Sequence, residues 1–598
     1  MKKVAVLETT LASIAILAMA VLPITEIITR ELSKSGIPGS IMWTRLLVLW
    51  VAFLGAIIAA RRGELLSLAT KDLFKGRGKG LVDVLTGGVS FTVCAVLCWV
   101  SWQYVMLERE GGSLFTLDVP VWIIQLIMPV GFGLIAIHVL TRVPGGWKAK
   151  LASALFLLIP LLLAWPLDLR GSGLLIPLLF GVILATALGV PIFIGLAGSA
   201  AVLLWDSYEP VMAIPMEAYN LSVKGHLPAI PLFTLAGFML AEGGTPKRLV
   251  ALFRALFGWI PGGVAVVAIL VCAFFTSFTG GSGVTILAMG GLLFPMLIHE
   301  KYSDRFTSGL LTSAGSLGLL LPPSLAVILY SVVAEVEIRK LFVSGFVPAM
   351  IELLLVAVYV FLFSRRSAVT LVRFQPRPVF RAIHDSIWEL AVPALVLGSF
   401  LGGLATLVET AAITVLYAFL LEFVIRKNLT LKSDLLRVVG NAATLVGGVL
   451  LILGVAMGLT NFLIIAEIPD QTVEWVQTFV QSPLFFLLLL NLFLLVVGCL
   501  MDIYSAITVV VPLIVPVGLA FGIDPFHLGV IFLINLELGY LTPPVGMNLF
   551  LAAYRFKRPL AEVYRAALPF FGIRCLAVLL VTYVPPITTY LPKVLGLE

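Results

Sequence analysis

The residues with the greatest potential for ion chemistry lie in four interruptions of otherwise apolar segments. Two of them, 278–283 and 318–324, precede two others, 501–505 and 539–544. The second and the fourth carry a Pro-Pro pair, which cannot donate backbone hydrogen bonds and opens a helix. Unpaired backbone groups in hydrocarbon cost several kcal/mol each, so such breaks persist only where protein, water or a ligand satisfies them. Because carbonyl and hydroxyl oxygens suit a hard cation, each pair of interruptions predicts an ion site.

Asp502 is the most informative single residue in these interruptions. An acidic side chain inside a membrane span is costly and marks a candidate functional site. It could help to hold a cation or tether the tip of a hairpin. The N-termini of half-helices favour a carboxylate, whereas their C-termini favour Na⁺. One site of this kind can therefore hold both a cation and an organic anion.

The structural alternative for these glycines and prolines is close helix packing and kinking. Packing would explain one such motif better, but the duplication of the motifs favours ion sites. Glu409 is either a membrane-embedded carboxylate or a solvated residue of an outer loop. Asn535 and Glu537, which precede the second Pro-Pro pair, are more consistent with a structural role.

Other kinds of chemistry lack the residues that they need. The five histidines are scattered, and the five cysteines lie inside apolar segments without metal-ligand or paired spacing. No Walker-type Gly-x-x-x-x-Gly-Lys-Ser/Thr motif occurs, which excludes ATP hydrolysis by that route. No set of converging nucleophile, base and metal ligands is evident, so we expect a transporter and not an enzyme.

The composition identifies the lipid bilayer as the solvent of this chain. Of the 598 residues, 60% are hydrophobic and 12% are charged, and the mean hydropathy is +1.11. Since a spanning helix needs roughly 20 apolar residues, we expect about 15 to 17 membrane elements. The basic residues behind the net charge of +7 lie in short loops, which indicates membrane topology and not nucleic-acid binding.

The loop charges predict a cytoplasmic N-terminus. The first five spans are expected near 10–29, 41–60, 81–106, 120–141 and 151–168. The expected inner loops carry Arg61, Arg62, Lys71, Lys75, Arg77, Lys79, Arg142, Lys148 and Lys150, whereas the outer loops carry Arg30, Lys34, Arg109 and Arg170. The positive-inside rule favours this orientation.

The region after residue 171 contains two similar halves, which are related by one constant offset in numbering. With this offset Pro295 corresponds to Pro516, Gly318 to Gly539, Pro322 to Pro543 and Pro323 to Pro544. The first half is expected to start outside, and the second to start inside after a basic linker. Inverted repeats of this kind are a signature of transporters.

These features predict an all-α polytopic membrane protein with five parts. The parts are a scaffold module of four transmembrane helices, 1–145; a connecting transmembrane helix, 146–171; transport-domain repeat 1, 172–364; a basic cytoplasmic linker, 365–387; and transport-domain repeat 2, 388–598. The repeats are expected to contain broken helices and re-entrant hairpins.

At these residues the sequence resembles a tripartite ATP-independent periplasmic (TRAP) transporter whose small and large membrane subunits are fused. The resemblance covers nearly the whole chain. It is strongest in the large-subunit blocks 229–237, 318–324, 405–412, 522–530 and 538–546. The scaffold module resembles the small subunit less specifically, through residues 43–45 and 53–56.

The resemblance implies Na⁺-driven uptake of a small organic acid across a bacterial inner membrane, by an elevator mechanism, with a separate periplasmic binding protein. The family's sodium sites correspond to Ser282, Gly318, Leu321, Asp502, Gly539 and Thr542, to which side-chain chemistry adds Thr279 and Ser505. The candidate substrate-binding residues are Gly280, Gly281, Gly283, Pro323, Ser324, Glu409 and Pro544.

Two departures and two alternatives accompany this resemblance. Gly281 stands where the family often has serine, and Leu407-Val408 replace the usual Pro-Thr. A sodium–carboxylate symporter without a binding protein would share the inverted repeats, although the four-span N-terminal module favours the tripartite type. A subunit of a proton-pumping respiratory complex would need ionisable residues strung through the membrane centre, and such a chain is missing from the sequence.

Overall fold

The computed structural model describes residues 2–67, 77–164, 170–171, 173–365, 375–543 and 545–597. This part of the chain is almost entirely helical, with two isolated β-bridges. Twelve of its helices are long and apolar enough to cross a membrane, and six shorter apolar helices accompany them. The expected number of about 15 to 17 membrane elements lies between twelve and the total that includes the shorter helices. The prediction of an all-α polytopic membrane protein is confirmed.

The helices of the described residues run in the following order along the chain. Up to residue 222 they are α1 Lys2–Ser33, α2 Ser40–Arg62, α3 Arg77–Gly111, α4 Val121–Gln125, α5 Ile127–Arg142, α6 Gly146–Ala154, α7 Leu158–Ala164, α8 Leu175–Ala187, α9 Ile192–Asp206 and α10 Ala213–Ser222. Up to residue 365 they are α11 Ala229–Glu242, α12 Thr245–Phe257, α13 Gly263–Thr279, α14 Ser282–His299, α15 Asp304–Ala314, α16 Leu325–Val333 and α17 Ile338–Arg365.

The remaining helices begin with α18, which lies inside the predicted basic linker. They are α18 Pro376–Asp385, α19 Ile387–Val396, α20 Leu407–Phe419, α21 Leu435–Ile465, α22 Ile468–Phe479, α23 Pro483–Leu500, α24 Ile503–Ala520, α25 Pro525–Gly539, α26 Met547–Phe556, α27 Leu560–Tyr583 and α28 Pro586–Val594. Two π-helical segments, Leu397–Leu401 and Leu420–Ile425, extend α19 and α20.

The chain forms two compact units, of which unit 1 comprises the residues up to Pro231 together with Leu436–Ile468. Within unit 1, α1 packs on α2, α2 on α5, and α3 on α5. Glycines bring α21 into backbone contact with α2. A Cβ atom at Gly55 would lie 2.0 Å from the carbonyl oxygen of Ala443, and one at Gly447 would lie 2.4 Å from the backbone nitrogen of Ala56. Small residues thus permit the close helix approach that is typical of membrane bundles.

We expect Gly447→Ala to destabilise unit 1, because the new methyl group would force α2 and α21 apart. Overpacking of this kind costs about 1 to 3 kcal/mol, and a thermal melt of the purified protein in detergent measures it. Gly448→Ala is the matched control, since a Cβ atom at Gly448 has no atom within 4 Å. Equal melting temperatures for the two variants would contradict the proposed backbone contact.

Unit 2 comprises Leu232–Leu435 and Pro469–Glu598, and its helices repeat at the offset that relates Pro295 to Pro516. Helices α14 and α24 begin at this offset, at Ser282 and Ile503, and they also end at it. Helices α13 and α23 end at the same offset, and α15 and α25 begin at it. The packing repeats as well, since α14 contacts α26 and α16 contacts α24. Equivalent helices therefore frame the interruptions of both halves.

Several predicted boundaries lie outside the described residues. In the basic linker, 365–387, the structure describes Arg365 and the residues from 375 onward, where the exposed helix α18 forms. Residue 172, at which repeat 1 is expected to begin, is not among the described residues, and neither are Lys71 and Lys75. The units also cut across the repeats, because Leu436–Ile468 joins unit 1. The domain boundaries and the membrane orientation stay predictions.

Candidate functional site

The first hairpin of unit 2 turns at Gly280 and Gly281, between α13 and α14. Gly280 has a φ of 67°, a left-handed conformation that glycine adopts without strain. A Cβ atom there would lie 2.4 Å from the Cβ atom of Leu325, so the hairpin tip packs against the start of α16. Ser282 is 1% exposed, and its hydroxyl has no hydrogen-bond partner among the described residues.

The second interruption, 318–324, lies between α15 and α16 and completes the first half of the site. Gly318 packs so closely on α13 that a Cβ atom would lie 2.1 Å from the carbonyl oxygen of Ala273. The Gly318 carbonyl accepts a hydrogen bond from the backbone N–H of Leu321 at 3.1 Å. Ser324 is fully buried, and its hydroxyl has no partner within the part of the chain that the structure describes. Gly318 thus serves close packing, while the serine hydroxyl is available to a ligand.

Asp502 caps the second hairpin of unit 2, between α23 and α24. Its Oδ1 accepts from the backbone N–H of Tyr504 at 3.0 Å and from that of Ser505 at 3.1 Å. Its Oδ2 accepts from the Ser505 hydroxyl at 2.5 Å. This N-cap agrees with the predicted role as a tether of the hairpin tip. An ionised carboxylate has about four lone-pair sites, so the three bonds leave capacity for a cation.

The last interruption, 539–544, begins at the end of α25 and precedes α26. Gly539 lies against α23, because a Cβ atom would be 2.6 Å from the Cα atom of Gly498. The Gly539 carbonyl accepts from the backbone N–H of Thr542 at 2.9 Å, which repeats the contact at the equivalent glycine of the first half. Pro544, a predicted substrate-binding residue, lies outside the described residues.

Two buried tyrosines connect the interruptions. The Tyr540 hydroxyl accepts from the backbone N–H of Ile503 at 2.6 Å, which joins the last interruption to the hairpin of its own half. The Tyr504 hydroxyl donates to the carbonyl of Gly280, which joins the two hairpins. Together with the packing of Gly280 against Leu325, these hydrogen bonds connect all four interruptions within unit 2.

The predicted sodium-site residues lie in or beside these interruptions, and sodium binding by them stays a prediction. They are Thr279, Ser282, Gly318, Leu321, Asp502, Ser505, Gly539 and Thr542. The Thr279 hydroxyl is occupied by its own helix, since it donates to the carbonyl of Phe275 at 2.9 Å. Each interruption leads into a helix N-terminus, at α14, α16, α24 and α26. Partial positive charge at these termini favours an anion beside the oxygen ligands of a cation.

The predicted substrate-binding residues divide into two groups. Gly280, Gly281, Gly283, Pro323 and Ser324 lie at the interruptions of the first half. Glu409 lies elsewhere, at the start of α20, where its carboxylate accepts from the backbone N–H of Thr406 at 2.8 Å in a capping box. Since the side chain is half-buried, the structure gives it a local role in starting a helix. A contact between Glu409 and substrate stays a prediction.

Sequence reasoning misses four groups that the structure connects to the site: Tyr504, Tyr540, Glu352 and Arg574. A signal for the last two is present, because charged residues inside long apolar helices are functional candidates. Arg574 is fully buried and pairs with Glu352 and Glu537, at 2.5 Å and 2.6 Å. The structural role predicted for Glu537 thus includes an ion pair. The two tyrosines adjoin predicted residues in sequence, yet only the folded chain shows which atoms they reach.

Comparisons with known proteins match both parts of the chain. The family model described as "Tripartite ATP-independent periplasmic transporter, DctM component" matches residues 178–587. The model of the DctQ component of the same transporters matches residues 19–149. The first match lies within the predicted repeats and linker, 172–598, and the second overlaps the predicted scaffold module, 1–145, whose boundaries stay predictions.

Individual relatives match either nearly the whole chain or a part of it. The chain is 29% identical over 563 residues to the isethionate TRAP transporter permease protein DctMQ of Oleidesulfovibrio alaskensis, which covers 92% of this chain and 88% of that protein. It is 32% identical over 430 residues to the C4-dicarboxylate TRAP transporter large permease protein DctM of Vibrio cholerae, which covers 68% of this chain and 95% of that protein. A crystal structure of the Alcanivorax borkumensis YdaH transporter matches with a TM-score of 0.44 and 13% identity, over 59% of this chain and 84% of that one.

Proposed function

We propose a function on one premise: this chain belongs to the tripartite ATP-independent periplasmic (TRAP) transporter family, and it joins the DctQ and DctM components in one polypeptide. On this premise the protein takes up a small organic anion together with Na⁺ across a bacterial inner membrane. A separate periplasmic binding protein delivers the anion. The N-terminus faces the cytoplasm, as the loop charges favour.

One observation carries the sodium coupling: two equivalent hairpins meet in unit 2, and a buried carboxylate lies at one of their tips. Tyr504 joins this tip to Gly280 of the other hairpin. A buried carboxylate and backbone carbonyls at helix breaks suit a hard monovalent cation better than an apolar ligand. Because helix N-termini adjoin the same interruptions, a bound Na⁺ and an organic anion can stabilise each other there.

The substrate class follows from the relatives and from the charge of the site. The relatives are named for isethionate, C4-dicarboxylates, ectoine and sialic acid. Isethionate and C4-dicarboxylates are small anions, and the helix N-termini around the interruptions favour negative charge. We therefore expect a sulfonate or a carboxylate as substrate. The isethionate relative also matches both modules of this chain, which supports testing isethionate first.

Transport itself would require the hairpins to move as one body. Unit 2 is suited to this, because Tyr504 ties one hairpin to the other and Tyr540 ties the last interruption to the second hairpin. We propose an elevator movement in which the hairpins carry Na⁺ and substrate together.

The test is uptake of radiolabelled anions into proteoliposomes that contain the full-length chain. The panel is isethionate, succinate and sialic acid, and each is measured with an inward Na⁺ gradient or an equal K⁺ gradient. Each condition is repeated with and without a periplasmic substrate-binding protein of the TRAP type from the same organism. We expect accumulation of one anion only when Na⁺ and the binding protein are both present.

Each departure from that result has a definite meaning. Uptake that needs Na⁺ but no binding protein would support the simpler sodium–carboxylate symporter. Uptake that is equal in Na⁺ and K⁺ gradients would contradict sodium coupling. Neither result would remove the family membership, which rests on the sequence.

A further inference from the structure

Arg574 is a fully buried cation within α27, and its guanidinium group contacts three other parts of unit 2. Nε donates to Oε1 of Glu352 on α17 at 2.5 Å, and Nη2 donates to Oε2 of Glu537 on α25 at 2.6 Å. Nη1 donates to the hydroxyl of Ser316 at 2.6 Å and to the carbonyl of Ser313 at 3.1 Å. Arginine suits this position because its planar group presents five N–H donors in a fixed arrangement.

The partners of Arg574 adjoin equivalent points in the two halves of the site. Ser316 lies two residues before Gly318, and Glu537 lies two residues before Gly539. These glycines correspond to each other at the repeat offset, and both pack against the first helix of the hairpin in their own half. One guanidinium group therefore spans the same place in both repeats.

The contacts also restrict the position of Arg574. Glu352 and Glu537 lie on different helices, α17 and α25, and both carboxylates are buried. Charge-assisted hydrogen bonds are strong, and losing one inside a buried site is costly. The guanidinium cannot follow Ser316 away from Glu537 without breaking such a bond. When one interruption is displaced, these hydrogen bonds therefore either oppose the displacement or move the other interruption with it.

We infer that Arg574 is a positioning residue that couples the two sodium sites, because a single guanidinium group holds both Ser316 and Glu537, which lie two residues before the second and the fourth interruption. The inference rests on the proposed sodium coupling. A Na⁺ ion that binds at one interruption orders the backbone there, and Arg574 transmits this order to the second interruption. The second ion then binds to a site that is already ordered, which is positive cooperativity. Sodium binding should accordingly have a Hill coefficient greater than unity.

The test is equilibrium binding of radioactive sodium to the purified full-length chain in detergent, at constant ionic strength. Ser316→Ala removes one acceptor of Arg574 and leaves every charge in place. Arg574→Lys keeps the charge, but one ammonium group cannot span both interruptions. Ser331→Ala is the matched control, because Ser331 is also buried and its hydroxyl donates to the carbonyl of Ile328 in its own helix.

We expect the Hill coefficient to fall to unity in Ser316→Ala and Arg574→Lys, and the sodium concentration for half-saturation to rise about tenfold. The control should keep wild-type values. Since a role in stability alone would lower the melting temperature without changing the Hill coefficient, the melting temperature of each variant is measured in parallel.

Three outcomes would overturn the inference. The first is a Hill coefficient in Ser316→Ala equal to that of the wild type. If Arg574→Lys does not accumulate as folded protein, the result for Ser316→Ala is sufficient to test the inference. Non-cooperative sodium binding by the wild type would overturn the coupling and leave sodium-driven uptake intact. Absence of sodium binding by the wild type would overturn both the coupling and the proposed function.

Discussion

Asp502→Asn should leave the protein folded and lower its apparent sodium affinity by about tenfold to a hundredfold. Asparagine is as good an N-cap as aspartate, so the start of α24 keeps its cap. The variant nevertheless loses the negative charge that would hold a cation, and interactions with a charged group are worth roughly 1.5 to 3 kcal/mol. The measurement is the sodium dependence of uptake into proteoliposomes, in parallel with a thermal melt.

Asp524 offers a control for the capping function alone. Its Oδ1 accepts from the backbone N–H of Phe526 and from that of His527, both at 2.9 Å, so it caps α25 as Asp502 caps α24. Asp524→Asn should therefore leave both stability and sodium dependence unchanged. Wild-type sodium dependence in Asp502→Asn would contradict the assignment of Asp502 to a sodium site and leave it a tether of the hairpin tip.

The repeat is the part of the fold that the sequence predicts best. The offset between Pro295 and Pro516 anticipates two helices, α14 and α24, whose bounds are related by that same offset. Proline and glycine act on their own backbone, so their positions mark helix breaks directly. Long apolar segments predict membrane spans for a similar reason, since each helix must satisfy its own backbone in lipid.

The contacts across the breaks could not be predicted in the same way. Tyr504 and Gly280 are 224 residues apart in sequence, and Arg574 and Ser316 are 258 residues apart. Which side chain reaches which carbonyl depends on how helices pack, and one sequence does not reveal the packing. The same holds for α21, which belongs to repeat 2 by sequence and almost wholly to unit 1 by contact.

Glu409 shows that a local signal can also be overlooked. Thr406 and Glu409 have the spacing of a capping box, in which threonine and glutamate satisfy the first amides of a helix. The structure contains this motif at the start of α20. Helix capping thus explains why the hydrophilic residue Glu409 lies beside an apolar span. A contact between Glu409 and substrate stays a prediction.

Arg574→Met should prevent accumulation of stable protein, which makes it the most disruptive of the substitutions considered. It leaves the carboxylates of Glu352 and Glu537 buried without their shared cation, and removing one partner of a buried pair costs about 3 to 5 kcal/mol. The measurements are the yield of monodisperse protein in detergent and its melting temperature. Arg558→Met is the control, because Arg558 pairs with Asp304 and both side chains are exposed, at 41% and 46%, and exposed pairs contribute about 0 to 1 kcal/mol.

A compensating variant distinguishes two effects of Arg574→Met, the unpaired buried charges and the lost packing of the guanidinium. When Arg574→Met is combined with Glu352→Gln and Glu537→Gln, the buried cluster carries no net charge and keeps nearly the same volume. We expect this triple variant to recover most of the melting temperature, because buried ion pairs can often be replaced by neutral groups at little cost. It should still lack sodium cooperativity, since no group then spans Ser316 and the second half. A triple variant as unstable as Arg574→Met would show that the shape of the guanidinium, and not its charge, holds unit 2 together.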